Sequence, residues 1–217
     1  MLNIAVLVSG GGTNLQALID AQKEGRIRGG HIRCVIASRP DAYALERARK
    51  EAIDTEVLIR RQYATQDAYD QALLSCLEQY QVDLVVLAGF MTIISETVVR
   101  QYENRILNVH PALIPSFCGE GFYGLHVHEA ALKRGVKVTG ATVHFVNAIC
   151  DGGPIVLQHA VAVQEGDTPQ TLQCRVMEQA EWKILPEAVS LFCEGRLRVT
   201  ENGVEILPEG KGETACR

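Results

Sequence analysis

No run of apolar residues in this 217-residue chain approaches the ~20 that a membrane-spanning helix requires. The opening stretch, Met1-Leu-Asn-Ile-Ala-Val-Leu-Val-Ser9, has no basic residue and runs straight into glycines, so it reads as a first strand rather than a signal peptide. No two of the seven cysteines, at 34, 76, 118, 150, 174, 193 and 216, stand as a CxxC pair, and their number is odd. That argues against a disulfide framework or a zinc site and for reduced thiols in the cytoplasm. Positive charge is not in excess either. Lys and Arg number 21 against 26 Asp and Glu, a formal charge of -5, which argues against a general nucleic-acid binder while leaving room for a local basic pocket. Internal repeats and linkers are missing as well, and no domain boundary is sharper than the loop after residue 115.

What is present is the material of an ordinary globular protein, 47% hydrophobic and 22% charged, enough for one large α/β domain or two small ones. Residues 3–9 form an apolar run, followed by Ser9-Gly-Gly-Gly-Thr13-Asn14 and a helical pattern through Leu15, Leu18 and Ile19. Strand, glycine loop, helix is an arrangement that aims backbone N–H groups at an anion. The loop is neither GxGxxG nor GxxxxGK[ST], so it is neither a dinucleotide fingerprint nor a Walker loop. One phosphate is the ligand that suits it; a tight turn with no ligand is the alternative.

Strands are expected at 31–38, near 55–59 and at 82–88, and helices over 42–52 and from about 66 to 80. The continuous branched run 82–88 is that of a parallel strand covered on both sides, and the alternation predicts a doubly wound, mostly parallel sheet with helices on both faces. Phe90-Met91-Thr92-Ile93-Ile94 reads either as core or as the wall of a pocket for a flat ligand. Further on, strands are expected at 138–147 and 155–163. A helix starting at Thr168-Pro169 should run to about Ile184 and be kinked or interrupted at Pro186, with Trp182 buried. Glu201-Asn202-Gly203 predicts a C-terminal β-hairpin between strands 197–200 and 204–207, with residues 209–217 a disordered tail.

The centre of the chain is Arg105-Ile-Leu-Asn-Val-His-Pro-Ala-Leu-Ile-Pro115. A short buried strand there would carry Asn108 and His110 two residues apart, hence on one face, at the end where open α/β sheets bind ligands. A carboxamide can donate to a developing oxyanion and an imidazole can exchange a proton near neutral pH. The alternative is a turn cap and a locally satisfied histidine. Asp151, in Asp151-Gly-Gly-Pro154, could pair with His110, raising the imidazole's pKa and fixing its tautomer. The glycine-rich loop 116–124, with Phe117, Phe122 and Tyr123, either closes over a substrate or packs on the surface. His126 and His128 open a helix two residues apart, too far round it for a shared metal.

Five stretches taken together resemble the folate-dependent glycinamide ribonucleotide (GAR) formyltransferases: Ser9–Leu15, Leu87–Met91, Leu107–Pro115, Gly140–Val146 and Asp151–Pro154, spanning nearly the whole chain. The resemblance implies a single formyltransferase-type domain over 1–208. It would comprise a phosphate-binding half to about residue 100, a catalytic and folate half over about 101–196, and the hairpin at 197–207. It implies transfer of the formyl group of 10-formyltetrahydrofolate to the amine of GAR in purine biosynthesis, by a cytoplasmic monomer or homodimer that takes small molecules, not nucleic acid or membrane. No metal enters. Asn108 would bond the formyl oxygen, His110 would move the proton, and Asp151 would position and charge it. The ribose phosphate would lie on Gly12, Thr13 and Asn14, with Glu181 on the sugar. The pterin would lie between Met91, Thr92, Ile93, Ile94 and the loop Asn147, Ala148, Ile149, Cys150, Asp151. Thr142 and His144 would support the site from behind.

Three departures stand out. Loop 116–124 is longer than in many members, and Gln66 stands where some carry a folate-contacting arginine, which Arg60 or Arg61 would replace. The stretch 175–181 is one residue longer than in some relatives, which leaves Glu178 and Glu181 as rival sugar contacts. The competing readings are a formyltetrahydrofolate deformylase, a formyltransferase acting on another amine, and a silent phosphometabolite-binding module.

Overall fold

The computed structural model describes residues 1–210; the last seven residues, including Cys216 and most of the expected tail, lie outside the described residues. Its elements alternate as expected through the first half: β1 (Leu2–Val8), α1 (Thr13–Lys23), β2 (Gly30–Ala37), α2 (Tyr43–Lys50), β3 (Asp54–Val57), α3 (Gln66–Gln79) and β4 (Leu84–Leu87). Then come α4 (Glu96–Gln101), β5 (Ile106–His110), α5 (Leu125–Arg134), β6 (Val138–Phe145), β7 (Ile155–Ala162), α6 (Pro169–Val176), α7 (Trp182–Cys193), β8 (Leu197–Thr200) and β9 (Gly203–Ile206). The seven-stranded sheet has the order β3-β2-β1-β4-β5-β6-β7. β1 pairs in parallel with β2 and β4, and β2 with β3, while β6 and β7 are antiparallel. Because crossovers between parallel strands are right-handed as a rule, a strand order that reverses between β1 and β4 places helices on both faces of the sheet. This is the doubly wound architecture expected.

Two compact units are distinguished, Met1–Leu107 and the chain from Asn108 onward. In the first, β1 is fully enclosed from Ile4 to Val8, as are Val85 and Val86 of β4, consistent with strands covered on both faces. The strand order reverses here, between β1 and β4, where loops at the C-terminal ends form a crevice. Those loops are Ser9–Gly12 and the stretch after Leu87. They are tied together: Ser9 Oγ accepts the Met91 N–H at 2.8 Å and shares a hydrogen bond of 2.6 Å with Ser38 Oγ, in which either hydroxyl can donate.

In the second unit, Asp167 and Arg175 form a two-pronged ion pair at 2.5 and 2.6 Å beside α6, whose Thr168 and Thr171 make a reciprocal capping box.

Four local readings are corrected. α4 was not foreseen, because six residues are too few to display a period; its signal is the cap Ser95, which accepts the Val98 N–H at 3.3 Å. Pro186 does not interrupt the last helix, which runs on to Cys193. Pro186 lies inside α7, the fifth residue from its start at Trp182, and a π-helical turn, Met177–Glu181, sits just upstream. Trp182 is only half-buried. In the hairpin, Thr200 faces Gly203, so the two-residue turn is Glu201-Asn202 and Gly203, at φ 128, begins β9.

Candidate active site

The second unit brings together the residues expected to carry chemistry. Asn108 and His110 leave the same side of β5, Thr142 and His144 the same side of β6, and Asp151 comes from the turn before β7. Asp151 adopts φ 54, a left-handed conformation that Asp tolerates. The turn is made possible by the glycine two residues on: a Cβ on Gly153 would overlap the Phe145 carbonyl oxygen.

Two carbonyls define the histidine tautomers. His144 Nδ1 lies 2.8 Å from Phe145 O and must carry the hydrogen, so its Nε2 accepts from Asn108 Nδ2 at 3.1 Å. The amide of Asn108 is thereby oriented with its donors inward. The second of these approaches Asp151 Oδ1 at 3.5 Å, a long contact that a stronger acceptor can displace.

His110 Nε2 lies 2.8 Å from Phe117 O and likewise must donate, which leaves Nδ1 facing Asp151 Oδ2 at 3.5 Å. A proton arriving on Nδ1 would meet that carboxylate. The pairing does pull the imidazole's pKa upward, as expected, but it does not set the net direction. Burial, with only 4% of His110 exposed, outweighs the pull of Asp151 and of the Phe117 carbonyl and holds the pKa below its ordinary value. The ring is therefore neutral at neutral pH and able to accept a proton.

Burial would push the Asp151 carboxyl up. The His144 ring edge, the Gly119 N–H at 2.9 Å and the nearness of the His110 and His144 imidazoles more than offset it, and it stays below the usual carboxylate value. The thiols of Cys118 and Cys150 are pushed up, by burial first and by Asp151 next, so neither is poised as a thiolate nucleophile. Among the described residues no group of three or more His, Cys, Asp or Glu could hold a metal ion.

The surroundings include groups that residue identity does not announce. The carbonyl of Phe117 (φ 50) and the N–H of Gly119 both belong to loop 116–124, which is thus built into the site by its backbone. Thr142 Oγ1 donates to Ala112 O at 2.7 Å and accepts from Ile114 N and Gln158 Nε2, tethering the turn that holds the cis Ile114–Pro115 bond. His128 is wholly buried on α5, neither ring nitrogen has a hydrogen-bond partner, and burial and then His110 push its pKa down to about 4. Its neighbour His126 is exposed, in line with two positions that do not share a helix face.

Of the remaining residues, Asn147 braces its own turn by accepting from Ile149 N at 2.9 Å and donating to Gly152 O at 3.2 Å, and leaves Ile149 69% exposed. Glu181, on the π turn, is 5% exposed, whereas Glu178 faces solvent.

In the first unit Gly12 takes φ 71 immediately before α1, and a Cβ there would lie 2.6 Å from that of Ala44. Asn14 is buried and Thr13 half-buried at the start of α1. Met91 and Ile93 are 55% and 80% exposed, apolar side chains left outside the core, while Thr92 and Ile94 are intermediate. Gln66 is bound internally, accepting from Arg60 Nε at 2.7 Å and donating to Asp70 Oδ1 at 2.7 Å.

An inward-turned amide, a neutral imidazole and a carboxylate at a strand end, with no activated nucleophile, define a site for group transfer by addition to a carbonyl carbon. Sequence and fold comparisons agree with that class. Residues 2–189 match the formyl transferase family, and the chain belongs to it. It is similar to the phosphoribosylglycinamide formyltransferase of Escherichia coli, 43% identical over 214 residues that cover 96% of this chain and 98% of that protein. It is 45% identical over 200 residues to the trifunctional purine biosynthetic protein adenosine-3 of Bos taurus, covering 92% of this chain but 19% of that longer protein. Its fold is similar to that of glycinamide ribonucleotide transformylase 1 from Symbiobacterium toebii, with a TM-score of 0.90, 48% identity, and 96% and 95% of the two chains covered. Among the described residues no helix is long and apolar enough to cross a membrane.

Proposed function

We propose that this protein transfers the formyl group of 10-formyltetrahydrofolate to the amine of 5'-phosphoribosylglycinamide, in the cytoplasm, as a monomer or homodimer. The observation that carries the reading is the approach of Asn108 and His110 to the same carboxylate, each at 3.5 Å from Asp151, in a chain similar over its length to an enzyme of that name. The amine nitrogen attacks the formyl carbon, and the oxyanion that develops takes the hydrogen Asn108 now directs weakly at Asp151. Neutral His110 accepts the proton the amine must lose, Asp151 stabilises the imidazolium, and collapse breaks the bond to the folate nitrogen, which takes the proton up.

The remaining assignments follow the same reading. Gly12, Thr13 and Asn14 bind the ribose phosphate at the start of α1, and buried Glu181 bonds the sugar hydroxyls. The exposed apolar side chains Met91, Ile93 and Ile149 bind the pterin, helped by Thr92, Ile94 and the backbone of Asn147–Asp151. A spectrophotometric formyl-transfer assay with and without GAR tests this. Folate product should form only when GAR is present. Formate released without GAR would mean a deformylase, and no reaction in either case would remove GAR as the acceptor and leave a formyltransferase acting on another amine or a binding module.

A further inference from the structure

The glycine loop after β1 is held from behind by α2. The Ala44 N–H donates to Gly10 O at 3.1 Å, and Arg47 Nε–H donates to Gly11 O at 2.8 Å. Arg47 Nη1 donates to Gln16 Oε1 at 3.0 Å, so one guanidinium spans the turn from Gly11 to the first turn of α1. The guanidinium is itself steadied over the Tyr43 ring, 5.1 Å from its centroid.

Across a planar trans peptide the carbonyl and the following N–H point in opposite directions. Drawing Gly10 O and Gly11 O toward α2 therefore turns the N–H groups of Gly11 and Gly12 to the other side. Successive N–H groups facing one way beside a helix N-terminus make a concavity suited to an oxyanion. No Lys or Arg lies between Ser9 and Asn14, so anion affinity here depends on how those dipoles are aimed. Three consecutive glycines do not hold one conformation unaided.

We infer that Arg47 is a positioning residue for the substrate phosphomonoester. It acts through Gly11 O and Gln16 to preset the Gly11 and Gly12 N–H groups, not through its own charge on the phosphate. The inference rests on the reading of this loop as the phosphate site.

The test compares Arg47→Lys and Arg47→Ala with the wild type, using GAR and its dephosphorylated riboside as acceptors. Lysine keeps the charge but has no planar fork to join Gly11 to Gln16. Both variants should raise KM for GAR about tenfold, the order of one charge-assisted hydrogen bond, with kcat unchanged. Neither should alter kcat/KM for the riboside, and melting temperatures should stay at the wild-type value. Wild-type KM in Arg47→Lys would show that charge alone suffices and overturn the inference. So would wild-type KM in both variants, or equal losses on both acceptors. A wild type that does not distinguish GAR from its riboside would instead remove the phosphate reading itself, and the inference with it.

Discussion

Replacing Asp151 with Asn removes a charge while keeping shape and an oxygen for the Gly119 N–H. An imidazolium on His110 would lie 3.5 Å from the carboxylate it loses. At an effective dielectric of about 20 the attraction at that separation is bounded at about 5 kcal/mol. Opposite charges at this range shift a pKa by about 1–3 units, equivalent to about 1.4–4 kcal/mol. That is the added difficulty of placing the amine's proton on His110, so turnover near neutral pH should fall about 10- to 1000-fold with little change in either KM. The pH profile gives the sign. Burial already holds His110 below its ordinary value, and Asp151 is the chief influence in the other direction. Without it only the Phe117 carbonyl opposes burial, and the acid limb of the kcat/KM profile should move to lower pH even as the plateau drops. Formyl-transfer kinetics across pH, with an NMR titration of the His110 ring, measure both quantities. Wild-type turnover, or an acid limb displaced to higher pH, would refute the reasoning.

Asn108→Ala should lower kcat by about 10²–10³, the loss typical of one oxyanion donor, with KM for GAR nearly unchanged in steady-state kinetics; a pure KM effect would make Asn108 a binding residue. Gly153→Ala forces a Cβ into the Phe145 carbonyl and should cost about 1–3 kcal/mol, seen as a melting temperature lowered by several degrees, with turnover falling as Asp151 is displaced. His128, neutral in the fold with a pKa of about 4 against an ordinary 6.5, takes up its proton more readily when unfolded. Its contribution is intact above pH 6.5 and is lost as pH falls toward 4, about 3 kcal/mol in all. Urea titrations of His128→Leu across that window should show a flatter dependence of stability on pH, and an unchanged slope would contradict the assignment.

The alternation of strands and helices was legible in the sequence because β1 from Ile4 onward and β4 throughout are buried and read as continuous apolar runs, with amphipathic helical patterns between the strands. Asn108, His110 and Asp151 were legible as candidates through their spacing and their flanking glycines and prolines. The direction of the His110 pKa was not: a sequence shows the carboxylate partner and cannot show the burial that outweighs it. Phe117 and Gly119 escaped notice because a carbonyl and an amide serve the site there, groups every residue possesses. Short α4 displays no period, and the slip at Met177–Glu181 leaves only an ambiguity of one residue between two glutamates.

That slip has a consequence for how this helix tolerates change. In the π turn the Trp182 N–H reaches back five residues to Met177 O, so one extra residue is looped out within a single turn. The segments before and after keep their faces, and Glu181 stays inside. Deleting one residue between 177 and 180 would restore a regular helix without disturbing either flank. An insertion or deletion elsewhere in α6 or α7 would rotate everything beyond it by about 100°, exchanging buried for exposed positions. The π turn is thus the point where this helix can change length and keep its carboxylate where it is.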